Sequence, residues 1–125
     1  MIRSTRILTT ESTDPHRNLA LEEALLLTLP SDQAVLYLWQ NRHTVVIGAG
    51  QNARAECRVD LLESEGGTLA RRSSGGGAVY HDMGNLNFSF LVPRADYDVP
   101  RQLKVILEAV RALGVEAEPS GRNDL

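Results

Sequence analysis

The most informative stretch of the chain runs from Arg71 to Asn85 and reads RRSSGGGAVYHDMGN. Its three successive glycines, 75–77, allow positive φ angles and let a ligand approach the backbone without Cβ clashes. The N–H groups of such a turn can converge on an anion, and the hydroxyls of Ser73 and Ser74 add donors. Two arginines at its entrance can grip a phosphate or a carboxylate in bidentate fashion. The stretch therefore predicts a site for a phosphorylated or carboxylated small molecule, the alternative being a flexible turn between two strands.

Two familiar glycine motifs do not fit this stretch. The spacing G-x-x-x-x-G-K-[ST] is absent and no lysine follows the glycines, which excludes a phosphate-binding P-loop. The G-x-G-x-x-G pattern of dinucleotide-binding folds opens a helix, whereas here the β-prone residues Ala78, Val79 and Tyr80 come next. The stretch is therefore either another class of small-molecule site or a flexible turn between two strands.

The elements around the loop are predicted from hydrophobic periodicity and from capping residues. Strands are expected at Arg6–Thr10, Ala34–Trp39, Thr44–Gly48, Thr68–Arg71, Ala78–Tyr80, Leu86–Val92 and Val115–Glu118. The second and third of these are predicted to form a hairpin across a polar turn. Helices are expected from Asp14 to about Leu29, from Arg58 to Glu65, and from Pro100 to Gly114. The first helix is predicted to bury a stripe of Leu21, Ala24, Leu25, Thr28 and Leu29. Hairpins with segregated helices favour an α+β fold over alternating βαβ units.

The composition describes one ordinary globular domain or a piece of one. The chain has 125 residues, of which 42% are hydrophobic and 23% charged. A net charge of −3 without any basic run argues against a nucleic-acid surface. No apolar stretch approaches the roughly 20 residues that span a bilayer, and the N-terminus lacks the apolar core of a secretory signal. A single cysteine, Cys57, excludes an internal disulfide. We therefore expect a cytoplasmic domain with no membrane and no nucleic-acid partner.

A longer run, RRSSGGGAVYHDMGNLNFS from Arg71 to Ser89, closely resembles the signature of lipoate–protein ligases. Further pieces match the same family in order along nearly the whole chain. They are Asn18-Leu19-Ala20, Glu22-Glu23, Leu38-Trp39, Thr44–Gly48, Gln51-Asn52, Glu56-Cys57, Gly114-Val115 and Gly121–Asp124.

The resemblance implies an α+β fold, shared with biotin–protein ligases and class II aminoacyl-tRNA synthetases, in which a mixed sheet has flanking helices. Residues 1–125 would be the N-terminal portion of a single catalytic domain, incomplete at its C-terminal end. The family uses ATP to activate lipoate as lipoyl-adenylate, with release of pyrophosphate. It then transfers the lipoyl group to a lysine of a carrier domain, such as the E2 subunits of 2-oxoacid dehydrogenases or the glycine-cleavage H protein. ATP, Mg²⁺ and lipoate are thus the implied small molecules.

The resemblance also implies roles for individual residues. Arg72 would contact a phosphate of the nucleotide or of lipoyl-adenylate, and Ser74 would help to shape the loop. The ATP-binding stretch would be lined by Gly77, Ala78, Val79 and Tyr80. His81 and Asn85 would lie beside the adenylate, and Asp124 near the nucleotide or Mg²⁺. Each has a plainer alternative: Arg71 a surface ion pair, His81 a structural hydrogen-bonded residue, Asn85 a turn residue and Asp124 a solvated turn residue.

The family's catalytic lysine follows the Gly-Arg-Asn-Asp segment in a Gly-x-Lys-x-x-Gly context, which places it beyond Leu125. The only lysine of the chain, Lys104, falls on the polar face of the last predicted helix and is not a replacement. We therefore expect this chain to be inactive alone. Two alternatives stay open: an octanoyl or lipoyl transferase of the same fold, and one half of a split two-subunit ligase.

Overall fold

The computed structural model describes residues 1–121. Its strands are β1 (Ser4–Thr9), β2 (Gln33–Trp39), β3 (Thr44–Ile47), β4 (Thr68–Arg71), β5 (Val79–His81) and β6 (Asn87–Leu91). Its helices are α1 (Pro15–Leu27), α2 (Ala53–Glu56), α3 (Val59–Ser64) and α4 (Val99–Ala112), with a 3-10 turn at Arg94–Asp96. None of the helices within residues 1–121 is long and apolar enough to cross a membrane.

The strands form two three-stranded sheets with the orders β1-β2-β6 and β4-β3-β5. Strand β2 is parallel to β1 and antiparallel to β6, while β3 is parallel to β4 and antiparallel to β5. The predicted hairpin between β2 and β3 is therefore wrong. Each of these strands is the centre of its own sheet, so both of its edges already carry partners and neither is free to pair with the other.

The two parallel pairs are joined by helical crossovers. Helix α1 connects β1 to β2, and α2 with α3 connects β3 to β4. Parallel neighbours need such a crossover because a tight turn cannot bring the second strand back in the same direction. The mixed sheets with flanking helices confirm the α+β class, although the βαβ connections within it were not expected from the sequence.

Helix α1 begins as predicted. The carboxylate of Asp14 accepts hydrogen bonds from the backbone N–H groups of His16 at 2.9 Å and Arg17 at 3.3 Å, and Pro15 occupies the first turn. The predicted buried stripe is only partly correct, because Ala24 and Thr28 are exposed. The hydroxyl of Thr28 donates instead to the carbonyl oxygen of Ala24 at 2.7 Å, on the exposed side of the helix.

The hydrophobic core lies between α1 and one face of the first sheet. Its centre consists of Val35, Tyr37 and Trp39 of β2 with Leu91 of β6, and Leu8, Leu19, Leu21, Leu25 and Leu29 pack around it. The rings of Tyr37 and Trp39 stack with centroids 5.8 Å apart. In β6, Leu91 is buried and Phe88 is exposed. This packing fixes α1 over β2 and β6, which sets one wall of the candidate site.

The C-terminal part of the described chain departs from the prediction. Helix α4 is capped by the side chain of Asp98 and ends before Gly114, whose φ is +84°. No strand forms at 115–118 within residues 1–121. The N–H of Val115 instead bonds to the carbonyl oxygen of Val110 at 3.2 Å, and Arg111 donates to the carbonyl oxygen of Ala117 at 3.1 Å. The segment is therefore folded back on the helix end and not paired in a sheet.

Candidate functional site

The glycine-rich loop leaves the sheet beside a second loop. Strands β3 and β4 run parallel and end together, with Ile47 opposite Arg71, so the segments that follow them are neighbours. The N–H of Ala49 donates to the carbonyl oxygen of Ser74 at 2.9 Å. A Cβ added at Gly48 would lie 2.3 Å from the carbonyl oxygen of Gly76. The two loops are thus in backbone contact, and Gly48 makes that contact sterically possible.

Arg71 holds the loop after β3. Its Nη1 contacts the carbonyl oxygens of Gly48 at 3.1 Å, Ala49 at 3.2 Å and Gln51 at 2.6 Å. These contacts give hydrogen-bond donors to carbonyl oxygens that have no partner in a helix or a sheet. Among the described residues, Arg71 is therefore a clamp on the 48–51 segment and forms no surface ion pair.

Arg72 holds the glycine-rich loop itself. Its Nε and Nη2 donate to the carbonyl oxygen of Gly75 at 3.1 Å and 2.9 Å, and Nη2 also donates to that of Gly77 at 2.6 Å. In a trans peptide the N–H points opposite to the C=O. Because Arg72 draws the carbonyls of Gly75 and Gly77 toward itself, the N–H groups of Gly76 and Ala78 point away from it. The guanidinium therefore orients backbone donors in an exposed loop.

The three glycines differ in what the fold requires of them. Gly76 has a φ of +99°, and an added Cβ would meet Arg72 Nη2 at 2.9 Å. At Gly75 and Gly77 an added Cβ would meet nothing within 4 Å, and their φ angles lie outside the left-handed region. Of these three positions, only position 76 requires glycine, and open space lies beside the other two.

The residues predicted to follow the loop in the ATP-binding stretch are exposed. Ala78 precedes β5, in which Val79 lies opposite Val46 and Tyr80 opposite Val45 of β3. The exposed fractions of Val79 and Tyr80 are 47% and 55%. Because β5 is the last strand of its sheet within the described residues, one of its edges faces away from the sheet.

His81 is buried where the two sheets approach each other. Its Nδ1 lies 3.1 Å from Nδ2 of Asn41 and 3.5 Å from Nδ2 of Asn87, and the ring meets Trp39 edge-on at 5.9 Å between centroids. Burial lowers the pKa of His81 below its usual 6.5, and the positive charge of Arg72 lowers that pKa further. Both effects favour the neutral imidazole over the imidazolium.

Asn85 closes the turn after β5. Its backbone N–H bonds to the carbonyl oxygen of Asp82 at 3.1 Å, and its Nδ2 donates to Oδ1 of Asn87 at 3.0 Å. It is thus a turn residue that also contacts a neighbour of His81. The remaining predicted site residue, Asp124, lies outside the described residues.

A cavity lies between α1 and the two loops, and the role of α1 in it was not predicted from the sequence. It measures about 440 Å³ and is lined by His16, Leu19, Ala20, Glu22, Glu23, Ala49, Arg71, Arg72 and Ser73. It combines an apolar strip from Leu19 and Ala20 with charges of both signs. In the sequence, the signal for this wall was the match of Asn18-Leu19-Ala20 and Glu22-Glu23 to the family.

Glu22 is held in place from the core side of this cavity. The indole N–H of Trp39 donates to Ser89 Oγ at 3.0 Å, and the hydroxyl of Ser89 donates to the carboxylate of Glu22. Burial raises the pKa of Tyr37 to about 12, with a further contribution from the negative charge of Glu22. Trp39 of β2 and Ser89 of β6 thus hold the carboxylate of Glu22 in the cavity wall, and the charge of that carboxylate reaches Tyr37 in the core.

A model of the lipoyl protein ligase A/B catalytic domain matches residues 14–125. The chain belongs to this family. It is 49% identical over 120 residues to the lipoate-protein ligase A of Psychrobacter cryohalolentis, a match that covers 96% of this chain and 35% of the relative. The chain therefore spans about a third of the length of that curated relative.

Solved structures of lipoate ligases have the same fold. The P. falciparum LipL1 complex with lipoate superposes with a TM-score of 0.84 at 30% identity, covering 94% of this chain and 39% of that one. A bi-partite lipoate protein ligase from Thermoplasma acidophilum, studied with its E2 lipoyl domain, gives 0.81 at 33% identity over 96% and 49%. A lipoate-protein ligase A bound with ATP gives 0.79 at 36% identity over 99% and 52%. The family assignment and the fold therefore agree with the resemblance found in the sequence.

Proposed function

We propose that residues 1–125 are the N-terminal portion of a single catalytic domain that activates lipoate with ATP and transfers the lipoyl group to a carrier-domain lysine. One observation carries this proposal: the arginine-braced glycine loop and the α1 cavity share Arg72, so a site for an anion adjoins a slot with an apolar strip. Lipoyl-adenylate has this combination of a phosphate and an aliphatic chain. Neighbours of known structure that bind lipoate or ATP support the proposal.

The two steps of the reaction place definite demands on the site. A carboxylate oxygen of lipoate attacks the α-phosphorus of ATP, the bond to the bridging oxygen breaks, and pyrophosphate leaves. The amine of the carrier lysine then attacks the acyl carbon, loses a proton, and AMP leaves. Negative charge develops on phosphate oxygens in the first step and is best stabilised by donors that are already oriented.

Residues of this chain would supply such donors. The N–H groups of Gly76 and Ala78, oriented by Arg72, would bind the phosphate, and Ser74 would keep the loop in place through its contact with Ala49. Val79 and Tyr80 on the outer strand β5 would contact the nucleotide. His81 and Asn85 would lie beside the adenylate.

The lipoyl chain would lie in the α1 cavity against Leu19 and Ala20. Burial of each CH₂ group contributes about 0.8 kcal/mol to binding. The carboxylate of Glu22 would direct the anionic end of the substrate away from α1 and toward Arg72.

Magnesium would enter this site with the phosphates of ATP. Mg²⁺ in nucleotide sites is held by one or two carboxylates together with the phosphates. Residues 1–121 contain no group of three or more histidine, cysteine, aspartate or glutamate side chains that could hold a metal ion. We propose Asp124 as a carboxylate that holds the Mg²⁺ of the bound nucleotide.

The catalytic lysine is not Lys104, whose side chain is exposed on α4. We propose that it lies in residues beyond Leu125, in the same polypeptide or, as in a split ligase, in a second subunit. The bi-partite ligase of Thermoplasma acidophilum supports the possibility of a second subunit. A cysteine-dependent transferase is disfavoured because half-buried Cys57 lines a separate groove with Arg54 and Arg58 and not the α1 cavity.

Replacement of Gly77 by alanine tests whether the loop binds the nucleotide. The added Cβ meets no protein atom within 4 Å, so Gly77→Ala should change the free energy of unfolding by less than about 1 kcal/mol. If phosphate approaches the backbone here, the Kd for ATP, measured by calorimetric titration, should rise about tenfold or more, which corresponds to about 1.4 kcal/mol.

Gly50→Ala is the matched control, because Gly50 also has nothing within 4 Å of an added Cβ but lies outside the loop. It should leave both stability and the Kd unchanged. ATP binding by Gly77→Ala as tight as that of the unchanged protein would contradict the proposed site.

A further inference from the structure

A run of hydrogen-bonded side-chain amides leads from α1 to His81. Asn18 Nδ2 donates to Asn41 Oδ1 at 3.0 Å, and Asn41 Nδ2 lies 3.1 Å from His81 Nδ1. A second amide nitrogen, Asn87 Nδ2, lies 3.5 Å from the same nitrogen. Asn18 and Asn41 are completely buried, and His81 is 8% exposed. These amides lie between the core and the candidate site.

The direction of this run is fixed at its first member. Asn18 Nδ2 also faces the backbone carbonyl oxygens of Ser12 and Gln40, each at 2.9 Å, so its two N–H groups are shared among three acceptors. Backbone carbonyls only accept hydrogen bonds, so the amide nitrogen and not the oxygen must face them. The orientation holds although Oδ1 of Asn18 is left buried without a partner among the described residues.

The orientation of Asn41 follows from that of Asn18. Its oxygen must face the donor Nδ2 of Asn18, because the reverse orientation would place two N–H donors against each other. Its own Nδ2 must then face His81 and donate. The ring nitrogen that receives this hydrogen bond, Nδ1, has to be an unprotonated acceptor.

We propose that Asn41 is a positioning residue, which holds His81 in the neutral form that carries its proton on Nε2. Protonation of Nδ1 would set its N–H against the N–H of Asn41, so the amide opposes the imidazolium as well as the other neutral tautomer. Burial of the ring and the charge of Arg72, which is the charge acting on it, favour the neutral ring as well.

The consequence for the site is a donor that does not titrate near pH 7. Both hydrogen bonds of the ring are at Nδ1, so Nε2–H is free within residues 1–121. Resting on the proposed function, we infer that this N–H donates to an oxygen of the adenylate as a neutral group. A neutral donor stabilises developing negative charge without transferring its proton to the product.

The tautomer can be measured by ¹⁵N NMR of the imidazole nitrogens of the 125-residue chain at pH 7.5. The unchanged protein should show a deprotonated Nδ1 and a protonated Nε2 on His81. In Asn41→Asp the carboxylate can only accept, so Nδ1 should gain a proton, and the pKa of His81 should rise. Near-ultraviolet circular dichroism checks that the variant is folded.

Asn52→Asp is the matched control. Asn52 caps α2 by accepting the N–H of Arg54 at 3.1 Å, and an aspartate caps a helix equally well. It adds the same charge at a site outside the amide run and should leave the His81 spectrum unchanged. If Asn41→Asp does not fold, Asn41→Ala removes the nearer donor without adding charge and leaves only Asn87 Nδ2 at 3.5 Å. It should raise the population of the Nδ1–H tautomer above that in the unchanged protein.

A proton on Nδ1 in the unchanged protein would overturn the proposal, and that measurement needs no variant. An unaltered tautomer in a folded Asn41→Asp or Asn41→Ala protein would overturn it as well. None of these measurements uses ATP or lipoate, so their failure is distinct from failure of the proposed function.

Discussion

Arg71 and Arg72 are adjacent in the sequence, yet they stabilise different loops. Arg71 contacts the carbonyl oxygens of the segment after β3, whereas Arg72 contacts those of the glycine-rich loop. The sequence alone indicated that arginines belong to the site, but it could not show that their donors are used first on the protein backbone.

His81 illustrates the limit of reading single residues. The sequence left two alternatives for it, a site residue and a structural hydrogen-bonded residue. The structure gives it two amide neighbours from segments 40 residues and six residues away in the sequence. Such a long-range contact leaves no local pattern in the chain. The structural role is therefore established by geometry, and the role in the site remains our proposal.

The lowered pKa of His81 predicts a pH dependence of stability. Between that lowered pKa and 6.5, the unfolded chain binds more protons than the folded one. The free energy of unfolding should therefore be largest above about pH 6.5 and should fall as the pH is lowered toward the pKa of the folded state. Each pKa unit corresponds to about 1.4 kcal/mol. Urea unfolding at a series of pH values from about 5 to 7.5 measures this slope.

His81→Gln removes the titrating ring and should flatten this part of the profile. His16→Gln, at an exposed position in the first turn of α1, is the control and should keep the slope. A profile whose slope is the same with and without His81 would contradict the assignment.

At the scale of elements, local sequence patterns predicted which helices and strands form better than they predicted which strands pair. Strand β4 and the capped start of α1 were predicted correctly because their signals, a segment leading into the glycine-rich loop and Asp14 before Pro15, lie within a few residues. The β2–β3 hairpin was wrong because the edges of both strands are taken by partners distant in sequence. The strand at 115–118 was wrong because its backbone bonds to the end of α4 instead.

Because the two loops are in contact at Gly48, a single methyl group added there should lower the free energy of unfolding. In Gly48→Ala the new Cβ would lie 2.3 Å from the carbonyl oxygen of Gly76, which is backbone and cannot rotate away. We expect a loss of about 1–3 kcal/mol in the free energy of unfolding, because relief of the overlap must shift the loop. Chemical denaturation measures the loss.

Gly75→Ala serves as the steric control, since its added Cβ meets nothing within 4 Å. It should leave the stability within about 1 kcal/mol of the unchanged protein. Equal stability of the two variants would show that the loops are not in backbone contact.

At the scale of the whole molecule, the family was identifiable from the sequence because its signature is contiguous from Arg71 to Ser89. The cavity was not, because its walls come from α1, from the segment after β3 and from the loop after β4. The two loops become neighbours because β3 and β4 are parallel strands joined by a helical crossover, and α1 is itself the crossover between β1 and β2. Assembly of α1 onto the core through Leu21 and Leu25 therefore brings Glu22 to the loop, and no local rule predicts that meeting.

The most direct test of the account is pyrophosphate release by a protein that extends residues 1–125 through the Gly-x-Lys segment. With lipoate, ATP, Mg²⁺ and an unmodified carrier domain, we predict pyrophosphate release that requires both lipoate and ATP, followed by lipoylation of the carrier. The 125-residue chain alone should bring about neither. Acyl transfer from one carrier protein to another without ATP, or the absence of pyrophosphate from the folded extended protein, would contradict the assignment as an ATP-dependent ligase.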